Sequence, residues 1–270
     1  MKALSEKVFL KLDMPNSKDR KSDRDRILDK LKIKYKNVDM PYKITKDLYP
    51  KCRESNFEIT VTLVKRTYDW VVTRIEQGDK TDKNYGLCVD LGSTTVIMRL
   101  VDLNTGDIVV EEGCFNKQIS FGEDILNRIF YTRNSKEKLY EIHKATIYTF
   151  SELIDIITEK SKINSEDISV MTVAGNTTMI HFLLNIDPWT IFQMPYTPIF
   201  NHTGFISCDE IGIPIKGYLY CFPSVANYLG GDIVSGVLFT EIYKQKELSA
   251  FIDIGTNGEL VIGNEEFLVA

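Results

Sequence analysis

Two short segments hold the residues best suited to chemistry. VDLGSTTVIMRLVDLNTG, residues 89–106, ends an apolar run on Asp90 and continues with Gly92, Ser93, Thr94 and Thr95. FIDIGTNGELVIGN, residues 251–264, repeats the plan with Asp253, Gly255, Thr256, Asn257, Gly258 and Glu259. Each reads as a strand, an Asp, one apolar residue, a Gly, polar residues and a second strand. Alone, either segment is a tight hairpin whose Asp accepts turn hydrogen bonds. Two copies separated by helical segments are an internal duplication, which favours two similar lobes. Gly92, Gly255 and Gly258 allow backbone N–H groups to approach a phosphate oxygen with no Cβ in the way. Ser93, Thr94, Thr95 and Thr256 add hydroxyl donors. Asp90 and Asp253 repel bare phosphate, so their expected task is to hold Mg²⁺, directly or through its waters. The expected site is a cleft in which the two hairpins grip the β- and γ-phosphates from opposite sides. No Walker loop, GxxxxGK[ST], is present.

Three further positions have two readings each. Asp232 opens a predicted helix, where it either complements the helix dipole or faces the cleft as a catalytic carboxylate. Asn176, with Thr177, opens another helix and either caps it or turns toward the ligand. Glu259 is a solvated strand residue or a partner of the Mg²⁺ waters. Trp70 and Trp189 read as packing residues, and His143 as a flank of the core.

These groups must be held by ordered elements, and the chain supplies them in two styles. Residues 4–13 alternate as a half-buried strand. Residues 22–34 form a helix with Ser22 as N-cap and Ile27, Leu28 and Leu31 as its apolar face. Residues 57–66 and 68–76 form a hairpin. The polar stretch EQGDKTDKNYG, 76–86, reads as a boundary, giving a small α+β domain over 1–82 that is expected to pack little against the rest. Beyond it, strands 86–91, 95–102 and 107–115 precede helices near 122–131 and 135–160. The second of these helices places Leu139, Ile142, Thr146, Phe150, Leu153 and Ile157 at helical spacing. A buried strand, 168–174, leads into a helix over 177–184. Residues 187–223 hold five of the eight prolines and read as an irregular insertion. A helix over 231–243 precedes the last strand pair, 249–254 and 259–263.

Composition narrows the class. The chain has 270 residues, 43% hydrophobic and 26% charged, enough for one large core or two medium ones. Residues 1–83 carry 21 Lys/Arg against 14 Asp/Glu, and the remainder 12 against 24. A basic front joined to an acidic body suggests two units, with the front a candidate dock for an acidic partner. Nucleic acid is not expected, because no aromatic-interleaved basic motif accompanies the charge. No apolar run reaches the roughly 20 residues of a membrane span. The five scattered cysteines read as reduced thiols and the expected location is cytoplasmic.

The duplicated hairpin resembles the two phosphate motifs of the actin-like ATPase superfamily, in which sugar kinases place their catalytic carboxylate where Asp232 stands. FGEDILNRI (121–129), AGNTTMIHFLLNIDP (174–188), YTPIF (196–200), GGDIVSG (230–236) and DIGTNGELVIGN (253–264) resemble the reductive activators of corrinoid proteins, the RACo type. The resemblance implies an α/β chain. Residues 1–82 are similar to the family's α+β linker domain. Residues 84–245 are similar to its middle domain, an actin-like (ribonuclease H-like) lobe. Residues 248–270 are similar to the start of a second lobe. It further implies ATP and Mg²⁺ as cofactors and a corrinoid protein or corrinoid methyltransferase as partner. ATP hydrolysis is then coupled to reduction of Co(II) corrinoid to Co(I). Family members carry an iron–sulfur ferredoxin domain whose cysteine cluster this sequence lacks, so this chain is not expected to bind the cluster. A separately encoded ferredoxin domain and a second copy of the chain join the expected partners. The sequence is expected to be a fragment or one half of a split protein, binding ATP weakly and inactive alone. A small-molecule kinase of the same superfamily, and a non-catalytic interaction module left by truncation, are the alternatives.

Overall fold

The computed structural model describes residues 3–255 and 258–270. The elements in chain order are β1 (Ser5–Lys11), α1 (Asp23–Lys32), β2 (Val38–Asp39), α2 (Tyr42–Thr45), α3 (Leu48–Glu54), β3 (Glu58–Lys65) and β4 (Trp70–Gln77). Next come β5 (Tyr85–Leu91), β6 (Thr95–Asp102), β7 (Ile108–Phe115), α4 (Ile125–Thr132), α5 (Lys136–Ser161), β8 (Ile168–Gly175), α6 (Thr177–Leu183) and α7 (Trp189–Phe192). The chain continues through β9 (Phe205–Ser207), β10 (Tyr218–Cys221), α8 (Gly231–Thr240), β11 (Ser249–Ile254), β12 (Gly258–Gly263) and β13 (Leu268–Val269).

The first seven elements form a four-stranded sheet in the order β1-β3-β4-β2, with helices packed on one face. Ser22 caps α1, its hydroxyl accepting from the Asp25 N–H at 3.1 Å, and Ile27, Leu28 and Leu31 are buried as their spacing requires. Trp70 packs edge-on to Tyr35, with ring centroids 4.9 Å apart.

The second sheet has six strands in the order β7-β6-β5-β8-β10-β9. The β5–β6 and β6–β7 pairs are antiparallel, whereas β5–β8 and β8–β10 are parallel. This order, third-second-first-fourth-fifth, is the ribonuclease H-like arrangement that the resemblance implies. The α5 stripe of Leu139, Ile142, Phe150, Leu153 and Ile157 joins Leu87, Val89 and Leu91 of β5 in one core. Because strand side chains alternate, Cys88 and Asp90 must emerge on the other face. α8 packs against β8 and also against β11, which begins a third, three-stranded sheet in the order β11-β12-β13.

Two expectations are overturned. The region 187–223 is not wholly irregular: it contains β9 and β10, and β10 pairs with both β8 and β9 inside the sheet. The first unit also does not pack loosely. Ser5, Asn84 and Ser169 are all buried and joined side chain to side chain, with Ser169 Oγ donating to Ser5 Oγ at 2.7 Å. Asn84 Nδ2 donates to the Ser5 carbonyl at 3.0 Å. The Lys7 ammonium, with 1% of its side chain exposed, lies 3.2 Å from Asp167 and 3.0 Å from Glu76. Arg74 reaches the same Asp167 at 2.7 Å. Residues 78–84 are tied as well, since Thr60 Oγ1 donates to the Gly78 carbonyl and accepts from the Lys80 N–H.

Candidate active site

The β5–β6 hairpin carries Asp90, Gly92, Ser93, Thr94 and Thr95. Gly92 is required sterically: a Cβ there would sit 2.6 Å from the Thr95 carbonyl oxygen. The loop is held from inside by Asn116, the residue after β7. Its Nδ2 donates to the Gly92 carbonyl at 2.8 Å, and its backbone N–H donates to the Thr94 carbonyl at 2.9 Å.

The β11–β12 hairpin carries the second copy. Asp253 and Glu259 are direct cross-strand partners in its register, so both carboxylates leave the same face. Phe251 and Val261 share that face, with Val261 buried and Phe251 lying against Gly236 of α8. Gly255 and Gly258 flank the turn, while Thr256 and Asn257 lie outside the described residues.

Asp232 lies in the first turn of α8, where its Oδ1 accepts from the Ile233 N–H at 2.8 Å. Burial first, with smaller contributions from Glu259, Asp253 and Asp90, raises its carboxyl to about 6 against the lowering effect of the Ile233 N–H. Asp90 is raised by the loss of solvation on the cleft floor and then by Asp253, although its surface is open to solvent. Glu259 is raised by partial burial and by Asp253. The charge of Asp253 reaches both Asp90 and Asp232, so the second hairpin lies near the first hairpin and the start of α8.

Asn176 takes the capping role. Its Oδ1 accepts from the Thr178 N–H at 3.0 Å, which engages the oxygen and leaves the amide nitrogen as its available donor. Its loop is pressed against the entry to α8, because a Cβ on Gly230 would lie 2.6 Å from the Asn176 Cα. Thr177 Oγ1 donates to the Ala226 carbonyl at 2.9 Å, locking the two loops together. Asn116 was not legible as a site residue. Its sole sequence signal is a buried-type polar residue at a strand end, two positions before Gln118.

Among the described residues, no group of three or more His, Cys, Asp and Glu is arranged to hold a metal directly. Among the described residues none of the four cleft carboxylates forms an ion pair with a Lys or Arg, and burial, with the charge of Asp253 added to it, raises the proton affinity of Asp90, Asp232 and Glu259. Such a set of hard oxygen donors fits a divalent cation held through its water shell. The five cysteines are free, and no helix among the described residues is long and apolar enough to cross a membrane.

A ribonuclease H-like sheet with a repeated acidic hairpin across the mouth defines the actin-like class of fold. Comparison with known proteins is more specific. The family described as the RACo middle region matches residues 85–245, and that of the RACo linker region matches residues 1–82. The corrinoid activation enzyme RamQ of Eubacterium limosum is 30% identical over 203 residues, which is 74% of this chain and 34% of RamQ. A solved reductive activator for a corrinoid, iron-sulfur protein superposes with a TM-score of 0.91 at 37% identity. That match covers 99% of this chain and 43% of the activator chain. The chain belongs to the RACo family of corrinoid activators, and it spans about a third of RamQ and under half of the solved activator.

Proposed function

We propose that this chain supplies the phosphate-gripping part of an ATP-dependent reductive activator, in which ATP hydrolysis drives reduction of a Co(II) corrinoid protein to Co(I). The observation that carries the reading is the convergence of Asp90, Asp232, Asp253 and Glu259 from two repeated hairpins and one helix start. The hairpin backbones at Gly92 and at Gly255–Gly258 orient the β- and γ-phosphates, with Ser93, Thr94, Thr95 and Thr256 as hydroxyl donors. Asn176 and Asn257 contribute amide groups. Mg²⁺, held through water by Asp90 and Asp253, would supply charge neutralisation on the phosphate oxygens. Asp232 orients the attacking water and takes its proton as the bond between the γ-phosphorus and the ADP oxygen breaks. Its raised carboxyl, at about 6, is still mostly ionised at pH 7 and so remains a competent proton acceptor.

Coupling requires that the ATP-bound and product-bound states differ in affinity for the partner's conformations. The solved relative is a reductive activator for a corrinoid, iron-sulfur protein, which supports a protein of that kind as partner. An electron source, such as a ferredoxin-type domain, is part of the proposal and lies outside this chain's residues. The three units of residues 1–82, 84–245 and 248–270 and a cytoplasmic location belong to the same reading, the latter resting on five free thiols.

The test is a titration of the chain with Mg-ATP and, in parallel, Mg-tripolyphosphate, followed by backbone amide resonances. Weak binding is expected, with shifts confined to residues 90–95, 230–233 and 253–259. Shifts elsewhere, or none at millimolar ligand, would overturn the reading. Phosphoryl transfer to an added sugar or organic acid would favour the kinase alternative.

A further inference from the structure

Behind the first hairpin lies a polar assembly that the site does not use directly. Asn116, Gln118, Arg128 and Thr146 are each 0% exposed. Arg128 Nε donates to the Gly122 carbonyl at 2.9 Å, and its Nη1 donates to Gln118 Oε1 at 3.2 Å. Gln118 Nε2 donates to Thr146 Oγ1 at 2.6 Å, and the Gln118 backbone N–H donates to Asn116 Oδ1 at 3.0 Å. Asn116 then donates to the Gly92 carbonyl. Along the path Arg128–Gln118–Asn116–Gly92 every donor points toward the hairpin.

Such an assembly is costly. Among the described residues Arg128 forms no ion pair, its Nη2 has no hydrogen-bond partner, and burial lowers its pKa to about 10. Asp124 acts on it only from beyond ion-pair distance, and a buried cation with no ion pair is retained where it fixes something that an apolar residue would not. What it fixes follows from peptide geometry. In a planar trans peptide the C=O and the next N–H point in opposite directions. Drawing the Gly92 and Thr94 carbonyls inward to Asn116 therefore turns the Ser93 and Thr95 N–H vectors away from it.

We propose that Asn116 is the positioning residue of the first phosphate hairpin, held in place by Gln118 and the buried guanidinium of Arg128. It sets two peptide planes so that the loop presents N–H groups, not carbonyls, to an anionic ligand. This deepens the phosphate-site reading and rests on it.

Two variants separate positioning from mere support. Asn116→Ala removes both side-chain bonds. Asn116→Asp keeps the acceptor for the Gln118 N–H, and so the cap of the following turn, but has no N–H to hold the Gly92 carbonyl. Hydrogen exchange on the ligand-free chain is expected to be at least tenfold faster in both variants at the backbone amide of residue 116, whose bond to the Thr94 carbonyl lasts only while the loop is fixed. The Leu87, Val89 and Met98 amides in the same sheet should be unchanged. Mg-tripolyphosphate, read at the hairpin amides, is expected to bind at least tenfold more weakly to both. Asn116→Asp behaving as wild type would overturn the proposal, as would faster exchange spread evenly through the sheet. If wild-type hairpin amides ignore Mg-tripolyphosphate, the phosphate reading fails. The exchange data then still decide whether Asn116 fixes the loop.

Discussion

Asp232 is the residue whose chemistry most constrains the cleft. Its folded carboxyl, at about 6, lies above the ordinary Asp value near 3.9. An acid raised on folding destabilises the folded chain once it ionises, so this stability is present at pH 4 and lost as pH climbs toward 6. Asp232→Asn removes that loss. Its unfolding free energy should match wild type near pH 4 and exceed it by roughly 3 kcal/mol above pH 7. Urea titrations at a series of pH values measure this; a constant offset at all pH values would contradict it. The aspartates were legible because the motif occurs twice, and a repeat needs no knowledge of tertiary contacts. Asn116 was hidden because its partner Gly92 is 24 positions away and meets it only after β6 and β7 pair.

At the level of elements, the loop before α8 is held by backbone contact. Gly230 lies against Asn176 and the Gly175 carbonyl with no room for a methyl group, the nearest atoms being 2.6 Å from a Cβ position. Gly230→Ala is expected to destabilise by about 1–3 kcal/mol, because backbone on both sides must yield. Chemical denaturation would show it, and wild-type stability would mean that the two loops are free to part. The elements with strong periodicity were readable: α5 buries its predicted stripe, and β5, β6, β7 and β8 lie within a residue or two of expectation. β10 was not. It has four residues, alternates half-buried tyrosines with buried Leu219 and Cys221, and follows a proline-rich stretch. Its strand character comes from parallel pairing with β8, which no local pattern encodes. α2 and α3 escaped for a similar reason, being short and stabilised by packing on β3 and β4.

Across the whole molecule, the charge change near residue 83 falls between β4 of the first sheet and β5 of the second, and the two sheets meet more tightly than expected. Asp167 of the second unit receives Lys7 and Arg74 of the first, with most of all three side chains buried. Asp167→Ala leaves two buried cations sharing Glu76, and a cost of about 3–5 kcal/mol is expected. Trp70 reports on one unit and Trp189 on the other, so fluorescence of single-tryptophan variants can follow each. In wild type the two transitions should coincide; in Asp167→Ala the first unit should melt earlier. Coincident transitions in both would show that the ion cluster does not couple the units. The cleft acids have a consequence at this same scale. Asp90 belongs to one sheet, while Asp253 and Glu259 belong to another that rests on α8 through Phe251. Carboxylate repulsion falls with separation, so the aperture of the cleft and its proton inventory are one thermodynamic variable. Narrowing the mouth must draw in protons or a countercation, and widening it must release them.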